Sequence, residues 1–211
     1  MVYIKTLVSA FLLIVILGAC STNKSKSTES ITPEGDGPIA AMPNPYLAQH
    51  VNAPAAAEGQ FRKAVVLMQG ENWDAAENVL TEMTQTYTDL SGPWVNLGIC
   101  RAQKNNLEGA EEAFIRALEV NSLNNDAYIQ FALLLREQGR FDEAEKVYLQ
   151  ALQVWPHNPQ ALRNLGILYD LYMGKFEQAL AQYELAARLT PEPSRELQGW
   201  IIDLKRRLSA E

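Results

Sequence analysis

From about residue 57 onward the apolar positions recur with two nested periods. Locally they follow helical spacing, and the whole arrangement then returns every 34 residues. The fullest copy reads Tyr128, Phe131, Ala132, Leu135, Gly139, Ala144, Tyr148, Ala151 and Pro156. One period earlier stand Trp94, Leu97, Gly98, Ala110, Phe114 and Ala117 in the same order. One period later come Leu162, Leu165, Gly166 and Tyr169, after which a single extra residue shifts the copy to Gly174, Ala179, Tyr183, Ala186 and Pro191. A degenerate first copy keeps Ala64, Leu67, Trp73, Ala76 and Leu80, but Gln60, Lys63, Met83 and Thr88 depart from it. Each copy predicts two helices joined by a turn, and the small residues mark where they touch. Gly98, Ala132 and Gly166 on first helices face Ala110, Ala144 and Ala179 on second helices, while Phe114, Tyr148 and Tyr183 fill the space between hairpins. One such hairpin cannot bury its own apolar face, so the copies must stack.

The pattern resembles the tetratricopeptide repeat, a 34-residue helix–turn–helix unit, and "WVNLG" at Trp94–Gly98 is close to its consensus opening. The second copy departs from that consensus with Ser122 for the closing proline and Arg101 at the usual aromatic site. The resemblance implies an all-α, right-handed superhelix of four repeats at about 57–90, 91–124, 125–158 and 159–193. Beyond them Ser194 can cap a helix whose Leu197, Trp200, Ile201, Leu204 and Leu208 follow helical spacing. Residues 194–211 are therefore expected to form a C-terminal capping helix, with Arg195, Lys205, Arg206 and Arg207 on a solvated face.

In arrays of this family the first helices line a concave groove. By that resemblance the groove-facing positions are Phe61, Arg62, Val65 and Met68, then Val95, Asn96, Ile99 and Ala102. The third repeat supplies Ile129, Gln130, Leu133 and Arg136, and the fourth Arg163, Asn164, Ile167 and Asp170. An apolar stripe through Phe61, Val65, Val95, Ile99, Ile129, Leu133 and Ile167 would accept apolar side chains, and the amides Asn96, Gln130 and Asn164 backbone groups of a bound peptide. Self-packing of these positions, or cover from the protein's own N-terminal segment, is the competing reading. The family's carboxylate-clamp mode needs several converging Lys, Arg and Asn residues, and here only Arg136 and Arg163 contribute cations.

Ahead of the repeats, an apolar run from Leu7 to Leu17 follows Lys5 and ends at Gly18-Ala19-Cys20. It is shorter than the roughly 20 residues a membrane-spanning helix needs and has the length of a signal-peptide core. Leu17-Gly18-Ala19-Cys20 resembles the lipobox of bacterial lipoproteins. The resemblance implies a signal peptide at 1–19, an acylated Cys20 at the start of the mature chain, and, because Ser21 rather than Asp follows, the outer membrane facing the periplasm. Residues 20–56 are rich in Ser, Thr, Pro, Gly and Ala without apolar period, the composition of a flexible tether. Within it Tyr46 to Val51 is the stretch that could dock on the repeats.

Composition narrows the chemistry. The net charge of −7 gives no general attraction to phosphate backbones, which argues against nucleic acid as a partner. With Cys20 acylated, Cys100 has no partner for a disulfide and reads as a small buried residue. His50 and His157 lack ligand-spaced companions, and no Gly-rich phosphate loop or Cys-x-x-Cys pair occurs, so no metal, cofactor or catalysis is expected. Acidic clusters at Glu108, Glu111 and Glu112 and at Asp142, Glu143 and Glu145 begin second helices, where the helix dipole favours them. The expectation is a lipid-anchored adaptor that binds an envelope protein or peptide. Two precedents are implied by the resemblance: pilotin-type lipoproteins of pilus and secretin assembly, and adaptors for cell-wall hydrolases or proteases. A carbohydrate-associated accessory subunit using Trp73, Trp94 or Trp155 is a further alternative. The family's habit of self-association leaves a homo-oligomer open.

Overall fold

Every regular element among the described residues is a helix. The structure is a computed structural model describing residues 39–49 and 53–210. Cys20, the leader 1–19, most of the tether and His50 lie outside the described residues. Helices α1 (Ala55–Gln69) and α2 (Trp73–Thr86) form the first hairpin, and α3 (Ser91–Gln103) and α4 (Leu107–Val120) the second. Helices α5 (Asn125–Glu137) and α6 (Phe141–Val154) form the third. The fourth pairs α7 (Pro159–Leu168) with α8 (Phe176–Leu189), and α9 (Arg195–Leu208) closes the stack.

Local chemistry sets the turns. Asn72, Asn106, Asn124, Asn158 and Ser194 each accept a backbone N–H from the first turn of the following helix. Within each hairpin the chain reverses through one residue of positive φ, namely Glu71, Asn105, Gly139 and Gly174 in successive repeats. Only the last two are glycine, the residue that adopts this conformation without strain.

The close-approach reading of the small residues holds in the packing. A Cβ built on Gly98 would lie 2.5 Å from the Phe114 ring, and one on Gly166 would lie 2.5 Å from the Tyr183 ring. Phe114, Tyr148 and Tyr183 are fully buried between hairpins, together with Ala110, Ala144 and Ala179. In the degenerate first repeat Met83 is buried where the pattern has a small residue, so the departure is accommodated inside the core.

The extra residue of the fourth copy is absorbed inside the helix. There α7 widens into a single π-helical turn, Tyr169–Met173, which Gly174 closes at φ 64°. This turn redirects Asp170, which repeat counting places on the groove. Its side chain, 7% exposed, accepts a hydrogen bond from Arg207 of α9 at 2.7 Å. The cap is fastened further by buried Leu197 and Leu204 and by Trp200, whose ring lies 5.2 Å from that of Tyr183. Its basic face is more than solvated, because Lys205 pairs with Glu184 and Arg206 with Asp203.

Two polar ladders tie the repeats together. Glu77, Glu111 and Glu145 stand one repeat apart on α2, α4 and α6, each clasped by cations of the next repeat. Arg101 Nε lies 3.2 Å and Lys104 Nζ 2.8 Å from Glu77, Arg140 engages Glu111, and Lys175 Nζ lies 2.8 Å from Glu145. Arg101, the misfit at an aromatic site, thus supplies an inter-repeat bond, and it also donates to the Gly109 carbonyl at 3.0 Å. Hydrogen bonds from Lys104, with Arg101 beside it, hold the Glu77 carboxyl below its ordinary pKa. Burial opposes the same effect at Glu145, but Lys175 prevails and the pKa is lowered. The acidic clusters therefore do more than meet helix dipoles. The second ladder is buried in the turns between hairpins, where Asn124 Nδ2 donates to Ser91 Oγ at 2.9 Å. Asn125 Nδ2 donates to the Ala151 carbonyl at 2.9 Å, and Asn158 Nδ2 to Asn125 Oδ1.

Candidate functional site: the concave face and its N-terminal strap

Helices α1, α3 and α5 leave an open hollow of about 330 Å³ on the concave face. Phe61, Val95 and Ile99 supply apolar surface, while Asn96, Asn124, Gln130 and Asp126 supply polar groups. Five of the residues expected in the groove, Phe61, Val95, Asn96, Ile99 and Gln130, are brought together here. Asn96 donates its amide N–H to the Gly92 carbonyl of its own helix at 3.1 Å, which leaves its side-chain oxygen as an acceptor at the hollow.

The other expected groove residues are distributed differently. Val95 is 6%, Ile129 1% and Asn164 6% exposed, so most of their surface fills the seams between helices. In this short stack each first helix lies against the next one. Val95 consequently packs among Phe114, Ala127 and Leu134, and Ile129 packs with Ala151 and Ala161. Val95 still contributes an edge to the hollow. Leu133 and Ile167 are half-buried against neighbouring core clusters. Arg136 places its guanidinium 5.6 Å from the Tyr172 ring centre, an intramolecular cation–π contact. Arg163 lines a separate cavity with Gln160, Thr190 and Ser194 beside the cap. Val65 is half-buried on α1 and lines neither hollow of the concave face.

Residues 39–49, assigned to the tether with Tyr46 to Val51 as the stretch that could dock, run along the turns between hairpins as a strap. The Ile39 N–H donates to the Arg188 carbonyl at the end of α8, 3.1 Å away. Both backbone groups of Met42 are held by the turn after α6. Its N–H donates to His157 Nδ1 at 2.9 Å, and its carbonyl accepts the Trp155 indole N–H at 2.8 Å. Asn121 donates to the Gln49 side chain at 2.7 Å after α4. The Tyr46 hydroxyl lies 3.3 Å from Ser91 Oγ at the start of α3. The strap thus crosses the repeats in reverse order, from the fourth towards the second.

Trp155, unexplained by the repeat pattern and considered for glycan binding, is a strap ligand. Trp73 and Trp94 pack in the first core cluster, with Arg116 5.7 Å from the Trp94 ring centre. Tyr46 is the residue of the candidate site that sequence reasoning under-weighted. It forms one wall of the 330 Å³ hollow and also roofs a second hollow of about 230 Å³ over Ala57, Phe61, Met83, Leu90 and Pro93. Its sequence signal is an isolated aromatic in a segment of small residues, set off by Pro43 and Pro45.

Reactive chemistry is weakly represented. Cys100 is fully buried, and desolvation pushes its thiol up to about 11, which keeps it protonated at neutral pH. Among the described residues no three His, Cys, Asp or Glu side chains are grouped to hold a metal ion. No helix among them is long and apolar enough to cross a membrane.

Residues 92–122 and 123–192 each match the tetratricopeptide repeat. Among curated proteins, Photosystem I assembly protein Ycf3 of Cyanophora paradoxa is 32% identical over 114 residues, covering 44% of this chain and 66% of that one. BBSome complex member BBS4 of Bos taurus is 29% identical over 99 residues, covering 47% of this chain but only 18% of its own length. Among solved structures, that of Pseudomonas aeruginosa pilF superposes with a TM-score of 0.66 at 22% identity, over 74% of this chain and 70% of that one. A thermophilic TPR protein of Thermus thermophilus, TTC0263, gives 0.59 at 23% identity, over 73% and 80%. YrrB, described as a TPR protein with an unusual peptide-binding site, gives 0.55 at 22%, over 72% and 75%. At such identities the structural likenesses establish the fold. Residues 92 to 192 are thus built of tetratricopeptide repeats, stacked hairpins that serve as protein–protein interaction scaffolds.

Proposed function

We propose that this protein is a lipid-anchored, periplasm-facing adaptor that holds an apolar segment of an envelope protein on its concave face. The observation that carries the reading is the hollow of about 330 Å³, where Phe61 and Ile99 provide an apolar floor, edged by Val95, beside the amides of Asn96 and Gln130. Such a surface accepts apolar side chains and hydrogen-bonds the peptide backbone that carries them. The peptide-binding site named for YrrB supports a peptide as the ligand class. Anchoring rests on the lipobox resemblance at Leu17–Cys20, and the combination of lipid and repeats has two precedents, secretin assembly in pilus biogenesis and recruitment of cell-wall hydrolases or proteases.

In-cell crosslinking from a photoreactive residue at Ile99 tests the adaptor reading. It should capture one envelope protein, and Ile99→Asp should abolish capture of that protein from a second photoreactive residue placed at Leu133 while the helical circular dichroism stays unchanged. Wild-type capture by Ile99→Asp would show that the concave hollow is not the binding site. For the anchor, labelled palmitate should enter the wild-type chain and not Cys20→Ser, and label persisting in the variant would refute acylation at that cysteine.

A further inference from the structure

The two hollows at the N-terminal end of the concave face share Phe61, Gly92 and Tyr46, which stand between them as a partition. Each is apolar at its floor and acidic at its rim. Glu58 and Asp89 border the smaller hollow and Asp126 the larger, all three exposed. Among the described residues no lysine, arginine or histidine lines either one. The groove's own cations, Arg136 and Arg163, lie elsewhere, over Tyr172 and beside the cap. We infer that these paired sockets take a segment of a partner protein that presents two bulky apolar side chains flanked by lysine or arginine, with the strap residue Tyr46 completing the site.

The inference rests on the adaptor reading and adds to it the partner's chemistry. Apolar side chains gain by leaving water, and the sockets offer floors of Phe61, Ile99, Leu90 and Met83 to receive them. Lysine or arginine beside those side chains would stand over a rim of three carboxylates with no competing cation among the described residues. Acidic flanks would meet like charge there, and that repulsion supplies the specificity. Arg62 is the nearest cation in sequence, one residue past Phe61, but it is exposed and lines neither socket. This polarity is opposite to a groove built to clamp a C-terminal carboxylate. Tyr46 matters because its ring borders both sockets while its hydroxyl lies against Ser91. Selectivity therefore depends on a residue outside the repeats.

The test uses the full chain in detergent and synthetic decapeptides of one backbone, Lys-Phe-Ala-Phe-Lys at the centre, against twins with Glu for Lys or Ser for Phe. Titration calorimetry should show the Lys/Phe peptide binding about tenfold more tightly than the Glu/Phe twin, an effect of about 1.4 kcal/mol spread over three rim contacts. The advantage should shrink as salt rises. The Ser-for-Phe twin should bind at least tenfold more weakly than the Lys/Phe peptide. Glu58→Lys with Asp126→Lys should reverse the charge preference. Tyr46→Ala should weaken the Lys/Phe peptide severalfold, and Tyr46→Phe should retain most of the affinity. Equal or tighter binding of the acidic twin, or a preference unchanged by the charge-reversed variant, overturns the proposal. The two readings fail separately. An acidic segment crosslinked to Ile99 refutes the charge assignment and leaves the adaptor standing, whereas Lys/Phe binding that survives Ile99→Asp refutes the groove itself.

Discussion

Gly166 offers a test in which two general effects have opposite signs. Alanine favours a helix over glycine by about 1 kcal/mol, so propensity alone predicts that Gly166→Ala stabilises α7. The packing predicts the reverse. The new Cβ would stand 2.5 Å from two ring atoms of Tyr183, a separation that forces movement. Tyr183 is fully buried, and Trp200 of the capping helix lies against its ring at 5.2 Å, so the ring has little room to withdraw. Overpacking of this kind costs about 1–3 kcal/mol. Ala132 occupies the same register in the third repeat opposite Tyr148, which shows that a hairpin built around a methyl is attainable and favours the lower half of that range. The net expectation is a loss of up to about 1 kcal/mol, or up to about 2–4 °C in Tm for a domain of this size. Gly199 on α9 is the control, because a Cβ there meets nothing within 4 Å. Gly199→Ala should raise Tm by a similar amount. Thermal unfolding followed by circular dichroism measures both. A Tm for Gly166→Ala that equals or exceeds wild type would refute the argument that close helix approach, and not conformational freedom, selects glycine there.

Other expectations follow from the turns, ladders and strap. Glu71 holds a left-handed conformation that costs a residue with a side chain about 1–2 kcal/mol, so Glu71→Gly should raise Tm by up to a few degrees despite glycine's greater freedom when unfolded. Asn158→Ala removes a helix cap and leaves buried Asn125 without one of its partners, so urea denaturation should show a loss of about 1–3 kcal/mol. The folded-state pKa values of Glu77 and Glu145 are depressed, so the stability they contribute is fully present above the unfolded value near 4.5 and is lost as pH falls through the folded values. Glu77→Gln with Glu145→Gln should flatten the acid limb of the stability–pH curve, and an unchanged limb would deny the ladder a role. Trp155→Phe deletes the donor to the Met42 carbonyl, worth about 0.5–1.5 kcal/mol. Hydrogen exchange at the Met42 amide should accelerate about tenfold relative to wild type while the amides of α5 keep their protection.

How much of this was legible in the sequence depended on whether a residue takes part in a period. Gly98, Gly166, Phe114 and Tyr183 recur in the repeat register because each solves the same packing problem, and the stacked hairpins follow from them directly. The extra residue before Gly174 was visible as a shift, but whether it entered the turn or the helix is settled by closure on α9, which counting does not contain. Glu77, Glu111 and Glu145 also keep the repeat period, so the ion ladder was legible to anyone reading polar positions with the same care as apolar ones. The groove was half legible. Repeat counting identifies which positions point inward, but Val95 and Ile129 are covered by the neighbouring hairpin, an effect of how tightly this stack closes. The strap was the least legible. Its bonds at Ile39 and Met42 use backbone N–H and C=O groups, which every residue but proline carries, and extended chain leaves no hydrophobic period to read.

That strap has a mechanical consequence. The stack begins at α1, yet Ile39, the first described residue, binds the end of α8, and the chain then travels back towards the first repeat. Tension applied at Ile39 is therefore borne first at the fourth repeat. To reach α1 it must break the Ile39, Met42 and Tyr46 contacts one after another, each a small load at a different site. The strap acts as a series of breakable links that would yield before the hairpins do, and the concave hollow roofed by Tyr46 would register the pull before any helix unwound.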